Sequence, residues 1–319
     1  MERIAYTLRR ILEMILVILV VAVLNFTLIH LAPGDVAQIM AGGEAGPEYV
    51  QAVRHEYGLD LPLHVQLWRY MGRFLRGDLG RSFTRGDKVF DIIVDRLPAT
   101  LLLMVPSFLL GTLLGTWGGA WAARRLGTRI DSTISGLSMA AYSIPVFWLG
   151  LMLIYAFSVQ LKWLPSSGMV SFLKEQRGLL DTLRHMALPV FSLSIYYFSQ
   201  TIKVARASVA ETLREDYITT FRAAGFKEDT VFIRHALRNA LLPIVSMTGM
   251  QLAYLATGAV LTETVFSWPG MGQLMFQAVL ARDYPLIMGG YILMSVMVVG
   301  FTFLVDLIYV VIDPRIELK

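Results

Sequence analysis

Ile11-Leu-Glu-Met-Ile-Leu-Val-Ile-Leu-Val-Val-Ala-Val-Leu-Asn-Phe-Thr-Leu-Ile-His-Leu31 is an apolar run whose strongly polar members are Glu13, Asn25 and His30. Twenty-one helical residues at about 1.5 Å each reach roughly 31 Å, the depth of bilayer hydrocarbon. Arg9 and Arg10 precede the run. A cleaved signal peptide is the competing reading, but the apolar run is too long and Ala32-Pro33-Gly34-Asp35 is a poor small-residue cleavage site. The stretch is therefore read as a retained anchor, and it sets the terms for the rest of the chain.

Five further apolar blocks follow, at Ala99–Ala123, Ile134–Gln160, His185–Ala205, Ala240–Glu263 and Tyr284–Ile312. The fourth is the weakest, diluted by Ser192, Ser194, Ser199 and Gln200. Of the 319 residues 55% are hydrophobic and only 16% charged, against about 25% charged in an ordinary soluble domain. Disorder is excluded by the same figures, because it needs low hydrophobicity and high charge. The expected fold is all-α, a polytopic membrane protein with six transmembrane helices.

Orientation follows the distribution of Lys and Arg in short loops. With the N-terminus in the cytosol, segments 1–10, 124–133, 203–238 and 313–319 face inward and carry 15 basic residues, against 5 in the short outer segments 161–184 and 264–283. The long segment 32–96 carries 8, but long loops cross largely regardless of charge. An N-in, C-in arrangement is expected. The net charge of +4 then reflects basic loops against an anionic lipid leaflet rather than nucleic acid. The organisation reads as 1–31, cytosolic N-terminus and first span; 32–96, an outer loop region with short helices near 48–57 and 62–76; and 97–319, a five-helix core with a cytoplasmic loop at about 206–238.

Several chemistries lack their residues. With no cysteine there are no disulfides and no Cys-ligated metals. None of the lysines follows a glycine, so no Walker A sequence is present. His55-Glu56 lacks the second histidine of a zincin, and Gly136-Leu137-Ser138-Met139-Ala140 fails as a nucleophile elbow. No catalytic or metal-ligating residue is assigned, and His30 and His185 are read as interface residues rather than ligands.

The inner loop is the most informative segment. It runs from Lys203 through Glu211-Thr-Leu-Arg-Glu-Asp216 and Phe221-Arg-Ala-Ala-Gly225-Phe-Lys-Glu-Asp229 to Arg234-His-Ala-Leu-Arg-Asn-Ala-Leu-Leu-Pro243. Small residues ahead of Gly225 let a short helix approach another protein closely, and glycine lets the chain turn at its end. A solvated loop lying on the bilayer accounts for the residues equally.

This loop resembles the EAA loop of ABC-transporter permeases. The chain as a whole is similar to the first of the two permease types in the dipeptide/oligopeptide/nickel importer family. The likeness rests on ordered motifs: His30-Leu-Ala-Pro-Gly-Asp35, Tyr57-Gly-Leu-Asp-Leu-Pro62, Gly77-Asp-Leu-Gly-Arg-Ser82, Arg96-Leu-Pro-Ala-Thr100, Ser143-Ile-Pro-Val-Phe147 and Trp163-Leu-Pro165. Further along come Glu263-Thr-Val-Phe-Ser-Trp-Pro-Gly-Met-Gly272 and Arg282-Asp-Tyr-Pro285. The chain departs from the pattern at Val36, Thr219, Phe221, Ala224 and Thr302.

The resemblance implies a type I ABC importer transmembrane domain in a bacterial or archaeal plasma membrane. It implies three kinds of partner besides membrane lipid: a second homologous permease, two cytosolic ATPases holding ATP and Mg, and an extracytoplasmic substrate-binding protein. This chain itself would hold no cofactor and would not be an enzyme. Arg222, Ala223, Ala224, Gly225 and Phe226 match the ATPase-coupling position. Asn25, Tyr142, Ser143, Tyr196, Gln200, Gln251 and Tyr254 are polar groups inside spans, which should face protein or a water-filled path; they line the path or bond between helices. Glu263, at the outer end of the fifth block, is read either as a gate residue or as a cap at the Ser-Trp-Pro-Gly turn. Gly111, Gly115 and Gly119 recur at the spacing of close helix packing, within the chain or across a heterodimer. Short peptides are the expected cargo, with nickel, glutathione or another solute as alternatives. An ion-driven secondary transporter or an intramembrane enzyme is disfavoured, since acids sit toward span ends and no nucleophile–base pattern occurs.

Overall fold

The computed structural model describes residues 2–31, 34–35, 37–38, 46–56, 58–171, 178–253, 255 and 259–312. The helices are α1 (Glu2–Leu31), α2 (Pro47–Glu56), α3 (Leu63–Leu75), α4 (Val89–Arg124), α5 (Arg129–Ser143), α6 (Val146–Leu153), α7 (Leu179–Thr212), α8 (Asp216–Ala223), α9 (Arg238–Ala253), α10 (Val260–Val265), α11 (Met271–Leu280) and α12 (Tyr284–Ile312). π-Helical segments Ile154–Gln160 and Val231–Leu237 extend α6 and lead into α9. The β pairing among the described residues is one antiparallel bridge, Arg81 to Lys88.

Arg9–Leu28 of α1, the whole of α4, and Tyr284–Phe303 of α12 are each long and apolar enough to cross a bilayer. The third block is not one straight span. Arg129–Ser143 and Val146–Gln160 meet at 94°. Ile144, between them, is extended (φ −82°, ψ 123°) because Pro145 disfavours helical backbone in the residue before it. The fourth block is longer than the apolar run suggests. α7 has 34 residues, and its serines satisfy themselves within the helix: Ser192 Oγ donates to Pro189 O at 2.9 Å and Ser199 Oγ to Ile195 O at 2.7 Å. The hydroxyls that dilute hydropathy are thus compatible with burial. The fifth block is divided, α9 ending at Ala253 and α10 beginning at Val260.

The chain divides into two compact units. The first contains residues 1–97 and 274–299. In it His30 Nε2 meets Gln66 Oε1 at 3.0 Å, and Gln66 Nε2 donates to the Leu61 carbonyl at 2.8 Å, tying α3 to α1. Asp283, fully buried just before α12, gathers the 82–84 turn. It accepts from Ser82 Oγ at 2.5 Å, Thr84 Oγ1 at 2.7 Å and the Phe83 and Thr84 N–H groups, and it caps α12 through Leu286 N. Burial works to raise this carboxyl's pKa, but the Ser82, Thr84 and Phe83 donors hold it below the usual carboxylate range.

The second unit contains residues 98–273 and 300–317. Its centre is α7, packed by α5, α6 and α9. One buried cluster joins Leu103, Met104 and Phe108 of α4 to Met186, Val190, Leu193 and Tyr197 of α7 and to Trp268. The glycines of α4 make that approach possible. A Cβ on Gly111 would stand 2.5 Å from Ser194 O, and one on Gly119 2.6 Å from Ile202 O. The glycine stripe therefore packs within the chain, against α7. Leu113, Leu114 and Trp117 of α4 are exposed.

Candidate coupling surface and translocation track

The segment 213–238 is a structured knuckle. α8 ends where Ala224 N bonds to Thr220 O and Gly225 N to Arg222 O, and Gly225 takes φ +82°, a left-handed conformation natural to glycine. Phe226 N then returns to Phe221 O at 3.2 Å. Beneath the turn, Ile218, Val231 and Ala236 form a fully buried cluster. The Phe221 ring stacks on His235 at 3.9 Å between centroids, with Phe226 edge-on to Phe221 at 5.3 Å. Residues 222–229 are all exposed, including Phe226.

Ion pairs brace the knuckle. Arg222 donates to both Glu228 oxygens, Nε at 2.8 Å and Nη2 at 3.4 Å. Arg124, at the end of α4, pairs with Asp229 and lies over the Phe232 ring. Exposed pairs of this kind add little stability singly. Their effect here is to fix the direction in which Arg222, Ala223, Ala224, Gly225 and Phe226 project together.

The candidate path residues fall into separate groups. Tyr142 and Ser143 end α5. Ser143 Oγ donates to Met139 O, while the exposed Tyr142 ring receives the Lys203 ammonium 4.0 Å from its centroid. Tyr196 is exposed on α7, edge-on to Tyr197. Gln251 Nε2 donates to Gln200 Oε1 at 2.7 Å, joining α9 to α7, and Gln251 Oε1 is buried with no partner among the described residues. Asn25 belongs to the first unit, and its buried Nδ2 has no hydrogen-bond partner among the described residues. Tyr254 lies outside the described residues.

Glu263 is fully buried and set as a cap. Its carboxylate accepts from Thr100 Oγ1 at 3.1 Å and from Gln273 N at 2.9 Å, at the first turn of α11. Thr100 Oγ1 in turn accepts from Met271 N at 2.7 Å, and Trp268 Nε1 donates to Ala99 O at 2.8 Å. A carboxylate at a helix N-terminus satisfies otherwise orphaned N–H groups. This geometry favours the cap over the gate.

Two pairings had no sequence signal. Asp131, buried at the start of α5, is held by Arg206 of α7 through Nε at 2.5 Å and Nη2 at 2.8 Å. Lys203 with Tyr142 is the other. Both join residues more than sixty positions apart, which spacing cannot reveal. Tyr196, Gln200 and Lys203 recur at i, i+4 and i+7, so one face of α7 carries all three.

Residues 115–318 match the family described as "Binding-protein-dependent transport system inner membrane component", and residues 3–104 match its companion N-terminal family. The chain belongs to this family: it is a multi-pass membrane permease of the ABC importer class. It is 37% identical to the oligopeptide transport system permease protein AppB of Bacillus subtilis, over 98% of this chain and 99% of that one. It is 38% identical to the dipeptide permease DppB of Escherichia coli K12 (94% of each chain), and 38% identical to the glutathione permease GsiC of Salmonella paratyphi A (98% and 99%). Among solved structures, the fold is shared with the inward-facing MetNI methionine ABC transporter. The TM-score is 0.53 at 18% identity, covering 70% of this chain and 97% of that one.

Proposed function

We propose that the chain forms one half of a peptide-importing ABC channel, paired with a second homologous permease. Two cytosolic ATPases bind ATP and Mg, and an extracytoplasmic binding protein delivers the cargo. The relatives named for oligopeptide and dipeptide transport, aligned end to end with this chain, support the cargo. The glutathione relative, equally similar, makes glutathione the alternative. The proposed topology keeps both termini in the cytosol, with the segments 1–31, 32–96 and 97–319 as anchor, outer region and core.

The observation that carries coupling is the exposed, braced knuckle at residues 222–226 over its buried base. A rigid protrusion transmits displacement; a floppy loop absorbs it. When the ATPases close on ATP, the knuckle moves as a body with α7 and α9, and alternating access follows as rocking of packed helices. The chain contains no cysteine, so Phe226→Cys provides a unique thiol. We expect that thiol to cross-link to the ATPase subunit in membranes, with a yield that changes on adding ATP. A matching cysteine at Trp68 should give no such product. Equal labelling of both sites, with no ATPase adduct, would contradict the assignment.

A further inference from the structure

We propose that Lys203 is a specificity-determining residue that receives the carboxylate of cargo leaving the channel. The inference rests on the peptide-cargo reading above.

Lys203 lies near the inner end of α7 and lines, with Ser135, Ser138 and Arg206, a cavity of about 320 Å3 between α5 and α7. The two cations of this cavity differ. Arg206 is held by both oxygens of Asp131. Lys203 has no carboxylate partner among the described residues; its ammonium rests on the Tyr142 ring. An aromatic face holds a cation in place without neutralising it. A lysine that merely snorkels reaches for the headgroups, whereas this one is turned onto a neighbouring helix.

Its surroundings continue the polar stripe of Tyr196 and Gln200 on α7, with Gln251 across from Gln200. The serine hydroxyls are already engaged: Ser138 Oγ donates to Ser135 O, and Ser135 Oγ to Asp131 Oδ1. The ammonium therefore keeps its charge and its donors available to the cavity, whereas the Arg206 charge is already matched by Asp131. A peptide of any sequence carries one C-terminal carboxylate, which forms a charge-assisted bond to an ammonium. A single lysine would thus serve many cargoes without reading their side chains.

The test uses the complete complex in liposomes with its binding protein, comparing import of a tripeptide with that of its C-terminal amide. Each variant's rate is divided by the wild-type rate, so the binding protein's own preference cancels. We expect Lys203→Gln to lower import of the free acid about tenfold and of the amide less than about twofold, with Lys203→Arg close to wild type for both. Equal loss of both peptides, loss of neither, or loss of the second permease from purified Lys203→Gln complex would overturn the proposal; the last would mark an interface ion pair. A second readout omits the binding protein. Millimolar tripeptide should protect Lys203 from acetylation, scored by mass spectrometry, and the amide should not. No protection by the acid would overturn the proposal. A wild-type complex that imports neither peptide, nor any other, would defeat the cargo reading itself, a distinct result.

Discussion

Gly119→Val is expected to destabilise the permease strongly. A Cβ at this position would stand 2.6 Å from Ile202 O, 2.7 Å from Ala205 Cβ and 2.9 Å from Arg206 N. Two of these atoms belong to the α7 backbone and cannot turn aside as a flexible side chain can. Gly111 and Gly115 face the same helix in the same way. Relief would require α4 and α7 to separate along the cluster that buries Leu103, Phe108 and Tyr197. Overpacking a well-filled core costs about 1–3 kcal/mol, and a clash against backbone belongs at or above the upper end. In detergent this should lower the unfolding midpoint by roughly 6 °C or more and reduce the recovered monodisperse protein. Gly72→Ala is the control. Nothing lies within 4 Å of its Cβ in α3, and helix propensity favours alanine by up to about 1 kcal/mol. A Gly119→Val protein as stable as wild type would mean that α4 and α7 do not touch.

The second large effect is functional. Gly225→Val should leave the chain inserted but uncouple import. Nothing lies within 4 Å of a Cβ there, so the protein interior is not disturbed. The difficulty is the backbone. Gly225 sits at φ +82°, where a β-branched residue is strained by about 1–2 kcal/mol or more. The turn relaxes by moving its exposed neighbours, Ala224 and Phe226. A misplacement costing about 1.4 kcal/mol in the closed, ATP-bound assembly lowers the rate roughly tenfold. Import measured with radiolabelled peptide, divided by the amount of chain in the membrane, should fall at least that far. Undiminished import would count heavily against the knuckle as the coupling element.

The membrane class and much of the helical frame were legible because an apolar run of about twenty residues matches the depth of bilayer hydrocarbon. The exceptions have physical causes. The third block breaks at Ile144-Pro145, where the restriction proline places on its predecessor overrode continuous hydropathy. α7 outran its apolar segment at both ends, because the helix continues through polar and charged residues such as Asp181, Arg184, Arg206 and Glu211, which a reading of hydropathy alone leaves out. The glycine stripe announced close packing but not its partner, which the structure identifies as α7. The knuckle was legible as a motif, while its base of Ile218, Val231 and Ala236 emerged only in three dimensions. Glu263 and Gln251 were visible as polar groups in apolar runs. What each one bonds to depends on contacts across helices, and the same holds for Asp131 with Arg206 and Lys203 with Tyr142.

The central claim is that this chain is the permease half of an ATP-driven peptide importer. The most direct test is ATP hydrolysis by the complex purified through an affinity tag on this chain, reconstituted in liposomes with its binding protein. The account predicts that a second permease and ATPase subunits co-purify, and that turnover rises when short peptides load the binding protein. A tagged chain that brings no ATPase out of gently extracted membranes, or a complex whose hydrolysis is indifferent to every peptide offered, would contradict it.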